Sequence, residues 1–465
     1  MKKKQRTIHF VSLGCPKNRV DTEVMLGVAT GDGWRVVTDA EGAEVVVVNT
    51  CGFVGEAKRE SIETIVELGE LKKAGACKKL VVTGCLSQRY APDLARDMPE
   101  VDHFLGSSDM LKLGEVLRGD AEERVLVGNP ADWVVRASDP RVLSQGSASA
   151  YLKIAEGCDR TCSFCVIPQI RGGQRSRRLE DVVREAERLV QAGALELNLV
   201  SQDTVAWGRD LDAKHRAPLA ELVRRVADVK GVRWVRVFYL YPETLDDALV
   251  EVLAEHPRVV PYVDMPLQHA SDRMLKRMRR GSTNARQRRV VERLRGAIPN
   301  LTFRTAFIVG HPGETDADFE ELCEFVSWAR FERMGVFKYS DEETSRSHEQ
   351  DGKVAPLVAA NRWRRLMALQ RRIAREENQK LVGRELEVLV EGPSEEHELV
   401  MKGRHAGQAL EIDGSTYLSE GEVHAGEMVR VRVTQASDYD VVGDVLEGSS
   451  TKPRKRKVAL KVVSA

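Results

Sequence analysis

The sequence has few aromatic residues and no long apolar run. Phe, Trp and Tyr make up 5% of its 465 residues. No segment reaches the roughly 18 uninterrupted apolar residues that a membrane-spanning helix needs. The basic start is followed by an apolar stretch too short for the core of a signal peptide. We therefore expect a chain that does not enter a membrane and stays in the cytosol.

Net charge is absent as well, since 71 basic residues balance 71 acidic ones. This balance gives no global attraction to nucleic acid. Neither a P-loop nor a G-x-G-x-x-G fingerprint occurs, so nothing supports nucleotide hydrolysis or hydride transfer. Eight cysteines are present. In the reducing cytosol they are better explained as metal ligands or nucleophiles than as disulfides.

The chain divides into five segments by its pattern. Residues 1–125 alternate apolar strands with helices, which predicts a parallel α/β sheet. Residues 126–149 are rich in turn formers and read as a linker. Residues 150–380 contain six strand–helix units, which predict a partial (β/α)6 barrel. Short alternating strands in 381–447 predict a small β-barrel, with strands at 385–390, 399–402, 408–412 and 428–433. The basic tail, 448–465, is expected to be disordered.

Three cysteines lie in one loop just after the first predicted barrel strand: Cys158, Cys162 and Cys165. Three thiolates can bind three corners of a 4Fe–4S cube and leave the fourth iron open. That iron could bind the amino and carboxylate groups of S-adenosylmethionine (SAM). The loop's position fits, because barrel chemistry lies at the carboxyl ends of the strands. A structural zinc site is the alternative, but it needs four ligands and no fourth Cys or His is near.

A second trio is spread along the first segment. Cys15, Cys51 and Cys85 each follow a predicted strand and have a glycine beside them. The carboxyl ends of parallel strands share one edge, so the three thiols should converge there and bind a second cluster. The alternative is that they are small hydrophobic residues at strand ends. Cys77 precedes its strand and Cys323 lies in a predicted helix, so both are expected to be structural.

Together these features resemble the methylthiotransferase family of radical SAM enzymes, whose chains end in a TRAM β-barrel. The resemblance covers all but the basic tail. Residues 12–18 (S-L-G-C-P-K-N), 151–158 and 436–440 are similar to the branch that modifies ribosomal protein uS12. The resemblance implies a transferase with two 4Fe–4S clusters and SAM. It also implies addition of a methylthio group to the β-carbon of one aspartate in uS12.

The resemblance further implies how the parts divide the reaction. SAM at the cluster of the loop cysteines yields a radical that abstracts hydrogen from the β-carbon, while the other cluster delivers sulfur and a second SAM supplies the methyl group. Residues near strand ends would hold SAM, although each could equally be a turn or capping residue. These are Phe164, Ser201, Gln202, Asp203, Gln268 and Gly310. His269 and His311 are as well explained by structural roles.

The substrate class is argued from charge. Residues 381–445 contain five basic and fourteen acidic side chains, a formal charge of −9. Such a domain would repel a phosphate backbone and attract a basic ribosomal protein, although an acidic surface can simply favour solubility. Basic runs at 171–178 and 273–280, and the tail, could touch ribosomal RNA, but solvated helix faces are the default interpretation.

Two other functions remain open from sequence. One is a tRNA adenosine methylthiotransferase with the same cofactors, and the other is a zinc-binding scaffold without catalysis. The expected partners are uS12 or the small ribosomal subunit and a low-potential electron donor such as flavodoxin or ferredoxin. The chain is expected to be a monomer.

Overall fold

A computed structural model describes residues 6–75, 77–144, 148–395, 399–419 and 421–448. The basic tail predicted to be disordered therefore lies outside the described residues, apart from Gly448. Within the described ranges no helix is long and apolar enough to cross a membrane.

The first sheet has six parallel strands in the order β2-β1-β3-β4-β5-β6. Its central strands are buried on both faces, as their continuous apolar runs predict. The strands are β1 (Thr7–Ser12), β2 (Arg35–Val36), β3 (Val45–Thr50), β4 (Lys79–Gly84), β5 (His103–Leu105) and β6 (Val125–Leu126). The helices are α1 (Pro16–Gly31), α2 (Gly55–Lys73), α3 (Cys85–Asp97) and α4 (Leu113–Arg118).

The linker predicted between the first two segments is packed rather than loose. Val135 and Ala137 are buried. The guanidinium of Arg141 donates to Glu23 of α1 at 2.6 Å and to Glu185 at 2.5 Å. The segment is rich in turn formers, and these contacts attach it both to the first sheet's domain and to the barrel.

The second sheet is an open, six-stranded parallel barrel in the order β14-β13-β12-β11-β10-β7, so the predicted partial (β/α)6 barrel is confirmed. Its strands are β7 (Ser149–Lys153), β10 (Glu196–Val200), β11 (Trp234–Val237), β12 (Val259–Asp264), β13 (Thr302–Val309) and β14 (Arg333–Lys338). A small antiparallel pair, β8 (Ala155–Glu156) and β9 (Arg175–Ser176), flanks the cysteine loop.

Helices cover the outer face of the barrel and enclose its largest apolar core. They are α6 (Leu179–Gln191), α7 (Leu219–Ala227), α8 (Asp247–Glu255), α10 (Asn284–Ala297), α11 (Asp316–Ala329) and α12 (Pro356–Gln379). The short helices α5 (Ile167–Arg171) and α9 (Asp272–Arg277) contribute no residue to this core. As predicted, Cys323 lies within a helix, α11, and Cys77 is buried just before β4.

The last sheet is a closed five-stranded barrel in the order β15-β16-β17-β19-β18, which confirms the predicted small β-barrel. Its strands are β15 (Glu385–Pro393), β16 (Met401–His405), β17 (Thr416–Leu418), β18 (Met428–Ala436) and β19 (Val441–Val445). The strand predicted at 408–412 is wrong. Gln408 turns inward there, and its Oε1 accepts hydrogen bonds from the backbone of His405 and the hydroxyl of Thr416.

Candidate functional site

The amino-terminal cysteines lie at the carboxyl ends of three adjacent strands. Cys15 immediately precedes α1, Cys51 follows β3, and Cys85 is the first residue of α3. Burial, together with the charges of Cys85 and Cys15, raises the pKa of the Cys51 thiol to about 12. The three thiols are therefore close enough to repel one another as anions.

Glycine makes this close approach possible. Gly14 has φ +92°, and a β-carbon there would lie 2.8 Å from Cβ and 3.3 Å from Sγ of Cys51. Any side chain would therefore displace the thiol of the neighbouring strand. The glycine before Cys15 is thus needed for both its backbone angle and the space it leaves.

The loop cysteines lie beyond β8 at the mouth of the barrel. Burial raises the pKa of Cys158 to about 11 and that of Cys165 to about 12, and in both cases the charge of Cys162 adds to the effect. The guanidinium of Arg280 donates to Sγ of Cys162 at 3.5 Å. The backbone N–H of Arg160 donates to Sγ of Cys158 at 3.4 Å.

The two trios lie on the two sides of the interface between the first sheet and the barrel. Cys85 packs against Val166 and Ile170, which follow Cys165 in the loop. The hydroxyl of Ser107 donates to the carbonyl of Ile170 at 2.7 Å and fastens the two parts together. Ligands held by one trio and by the other would therefore open toward a shared space.

No three His, Cys, Asp or Glu side chains of the described ranges are grouped closely enough to share one metal ion. Neither trio is thus arranged around a single ion, as a structural zinc site requires. A 4Fe–4S cube is larger and binds each thiolate at a different iron, so its ligands stand farther apart. Three soft thiolates are also the donor set that such clusters take.

A buried polar network extends from the amino-terminal trio into the barrel. Arg171 donates to Sγ of Cys85 at 3.2 Å and to Oδ1 of Asn18 at 2.5 Å. It also pairs with Asp21 at 2.8 Å. Although burial alone would raise the pKa of Glu156, Lys153 and Arg171 lower it to about 2.

Lys153 completes this network from the barrel side. Its Nζ lies 2.5 Å from Asp21 and 2.7 Å from Glu156. All of these groups are almost fully buried. Two arginines of the basic run at 171–178, Arg171 and Arg177, are buried ions. These two side chains therefore form neither an RNA-binding patch nor a solvated helix face.

Three of the residues predicted to hold SAM lie together after β10. Gln202 donates to Glu156 at 2.5 Å, and Asp203 accepts from Arg160 at 2.5 Å. Among the described residues, Oε1 of Gln202 and Oδ1 of Asp203 are buried without a hydrogen-bond donor. Ser201 instead exchanges a hydrogen bond with Thr204 at 3.1 Å and is internal. The two unpaired oxygens make Gln202 and Asp203 fit for a polar ligand.

The other three are placed differently. Gln268 has φ +72° after β12 and pairs with Phe307 of β13 through an isolated bridge. Gly310 ends β13 with φ +78°, and its N–H donates to Glu314 at 2.6 Å. Phe164 is half-buried between Cys162 and Cys165. Both backbone turns lie at the mouth of the barrel, where these residues were expected.

The two histidines in this region have protein partners. His269 contacts Glu314 at 3.1 Å, and both are fully buried. His311 shares a hydrogen bond with Ser347 at 2.8 Å, and burial lowers its pKa to about 4. Their structural interpretation is therefore the better one.

Sequence reasoning missed the cations beside the cysteines. Lys17 lies 3.5 Å above the ring of Tyr239, and Arg171 and Arg280 contact cysteine sulfurs. Lys17 stands two residues after Cys15, a spacing that could have pointed to it. The two arginines are distant in sequence from the thiols they contact, and no local signal marks them.

Three family models match the chain in order. They are "Uncharacterized protein family UPF0004" over residues 7–106, "Radical SAM superfamily" over 152–326 and "TRAM domain" over 382–446. Two solved structures are similar in fold. A radical SAM methyltransferase, TsrM from Kitasatospora setae, is 17% identical with a TM-score of 0.51, over 72% of this chain and 75% of its own. The cobalamin-dependent radical enzyme OxsB is 10% identical with a TM-score of 0.51, over 79% and 56%.

Curated relatives match nearly the whole length. The ribosomal protein uS12 methylthiotransferase RimO of Sorangium cellulosum (strain So ce56) is 66% identical over 98% of this chain and 97% of its own. The protein of the same name from Myxococcus xanthus (strain DK1622) is 50% identical over 97% and 94%. That of Geobacter sulfurreducens is 45% identical over 96% and 100%. The chain therefore belongs to the RimO family of radical SAM methylthiotransferases.

Proposed function

We propose that this enzyme adds a methylthio group to the β-carbon of one aspartate in ribosomal protein uS12. The single observation that carries the proposal is that Cys85 of the amino-terminal trio packs against Val166 and Ile170, the segment that directly follows the loop cysteines. A reaction that forms a C–S bond at an unactivated carbon needs a radical source and a sulfur source within reach of the same atom. The names of the relatives support uS12 as the substrate.

We further propose which residues hold the cofactors. Cys15, Cys51 and Cys85 would hold one 4Fe–4S cluster. The three loop cysteines, Cys158, Cys162 and Cys165, would hold the other. SAM would lie beside the loop cluster, where Gln202, Asp203, Gln268, Gly310 and Phe164 line the mouth; Ser201, turned inward, would support them. When bound, the reduced loop cluster supplies the electron that cleaves SAM.

The protein's own residues orient the reactants and exclude water. Asp203 is held by Arg160, whose guanidinium lies 3.7 Å above the ring of Tyr241. Glu156 fixes the amide of Gln202, which leaves Oε1 directed to a ligand. The buried network keeps the charges of Asp21, Glu156, Lys153 and Arg171 paired.

The surface charge supports a protein substrate over tRNA. Of the five basic residues in 381–445, Arg404 is buried and paired with Glu196 and Glu391. Because Glu391 belongs to the same segment as Arg404, burying this pair leaves the acidic balance of the barrel unchanged. A basic protein is attracted to such a surface, and a phosphate backbone is repelled.

The test is an anaerobic assay of the reconstituted enzyme with SAM, dithionite and a peptide from the uS12 loop. One aspartate should gain one methylthio group in place of hydrogen, located by tandem mass spectrometry. Modification of tRNA adenosine and none of the peptide would overturn the proposal. The Cys15→Ala variant serves as the control, because it should still cleave SAM but transfer no sulfur.

Three further points are proposals. A low-potential donor such as flavodoxin or ferredoxin would supply the electrons, since such clusters are reduced at low potential. The enzyme would act as a monomer in the cytosol. The proposed domain division, 1–125, 126–149, 150–380, 381–447 and 448–465, is supported by the three separate sheets.

A further inference from the structure

Lys17 stands at a position that is unfavourable for a cation. It is the second residue of α1, where the helix dipole presents its positive end. It is also only 8% exposed. Burying an ammonium group is costly unless an anion or hydrogen bonds compensate it. Folding stability alone would thus favour a neutral side chain here.

No described carboxylate lies within ion-pairing distance of the Lys17 ammonium. The groups that act on it are Tyr239, Cys15 and Glu156, and the one carboxylate among them, Glu156, is already bound to Lys153, Arg171 and Gln202. The other buried cations of the network, by contrast, have carboxylate partners of their own. Lys17 therefore has capacity for one more anion.

The surroundings of Lys17 are fixed in place. Its Nζ lies 3.5 Å from the centre of the Tyr239 ring, a cation–π contact that partly compensates burial. Tyr239 follows β11 with φ +59°, a costly angle for a tyrosine. Its N–H donates to Asp264 at 3.0 Å, and its carbonyl accepts from Thr204. The ring is thus held at the barrel mouth, beside the Asp203 segment.

The position also lies between the two trios. Lys17 is two residues from Cys15 on one side, and on the other Tyr239 belongs to the barrel end where Cys158 lies. An atom that receives sulfur from one side and loses hydrogen to the other must occupy this space. The carboxylate attached to that atom would then be within reach of the ammonium.

We propose that Lys17 binds the side-chain carboxylate of the substrate aspartate and so selects an acidic residue for modification. This inference rests on the proposed function and names the residue that determines its specificity. A buried ammonium–carboxylate pair would also fix the rotation of the β-carbon toward both trios.

The experiment compares Lys17→Met and Lys17→Arg with the wild-type holoenzyme. Two uS12 loop peptides are used, one with the target aspartate and one with asparagine there. Their Kd is measured by fluorescence anisotropy without reductant. The wild type should prefer the aspartate peptide by about 100-fold, the usual cost of removing one partner of a buried charge pair. Lys17→Met should bind both peptides equally, and Lys17→Arg should keep part of the preference.

The matched control is Lys58→Met. Lys58 also lies at the interface, but it is partly exposed and has a carboxylate partner, Glu342, at 2.8 Å. Its preference for aspartate should be that of the wild type. Iron content and SAM affinity should be those of the wild type in all three variants, and Lys58→Met should also keep the uncoupled formation of 5′-deoxyadenosine.

Three outcomes would overturn the inference. The first is that Lys17→Met keeps the preference for aspartate. The second is that this variant loses iron, which would show that Lys17 supports the Cys15 site. The third is that its affinity for SAM alone is weaker. Failure of the proposed function is separate, because it appears as a wild-type enzyme that modifies no aspartate peptide. If that enzyme still binds the peptide through Lys17, the inference stands.

Discussion

At the scale of residues, the interface between the first sheet and the barrel depends on buried ions. Lys153 is the cation that Asp21 and Glu156 share, and none of the three is more than 1% exposed. A buried ion pair of this kind adds little net stability compared with an apolar core. Removing one partner is costly, however, because it leaves the other charge buried and unpaired.

The Lys153→Met variant should therefore lower the free energy of unfolding by about 3–5 kcal/mol, because two buried carboxylates would share one guanidinium. Denaturation in urea measures the change. Arg224→Met is the control, since that side chain is 44% exposed and 3.7 Å from Glu251. It should shift stability by no more than about 0.5 kcal/mol. Equal losses in both variants would contradict the role given to the network.

At the scale of elements, one carboxylate fastens the last barrel to the second sheet. Glu196 of β10 contacts Arg404 of β16 at 2.6 Å and Arg236 of β11 at 3.2 Å. Although burial alone would raise the pKa of Glu196, the two guanidinium groups lower it from 4.5 to about 2. The folded protein thus binds this proton less readily than the unfolded chain.

The stabilisation from Glu196 is then complete above pH 4.5 and is lost as pH falls toward about 2. Unfolding free energies of the wild type and of Glu196→Gln should differ most at neutral pH and converge across this range. The measurement is denaturant unfolding at several pH values. Two curves that stay parallel down to the lowest pH would show that Glu196 does not titrate in the folded state as argued.

The turn before α1 offers a second test at this scale. An alanine at Gly14 would press on Cys51, whereas Gly33, with φ +81°, has no atom within 4 Å of the added carbon. Gly33→Ala should cost about 1 kcal/mol of backbone strain and keep the iron content. Gly14→Ala should lose iron from the amino-terminal site. Iron per chain in matched anaerobic preparations gives the answer, and equal iron in both variants would contradict it.

At the scale of the whole molecule, the sequence predicts the recurring strand–helix units. It does not predict contacts between residues that are far apart in the chain. The barrel strands were found because their apolar runs recur with the strand–helix period. The strand expected at 408–412 failed because Gln408 turns inward to satisfy backbone and hydroxyl groups. Arg171 was interpreted as part of a basic run, because its partner Asp21 is 150 residues away in the chain and no local pattern indicates their ion pair.

The candidate site divides in the same way. The six cysteines stand out as candidate ligands from their spacing and from their places after strands, because both are local features. The sequence analysis missed Lys17, Tyr239 and Arg280. Their place in the candidate site is indicated only by their burial and by their closeness to the cysteines. Burial of a cation without a carboxylate becomes visible only when the two sheets are in contact.

The central claim is that each cysteine trio holds its own cluster, and iron with acid-labile sulfide per chain tests it most directly. Anaerobically reconstituted wild type should contain about eight of each, and Cys15→Ala and Cys158→Ala about four each. The double variant should contain almost none. A wild type with about four, or a Cys15→Ala variant with the wild-type content, would contradict the account.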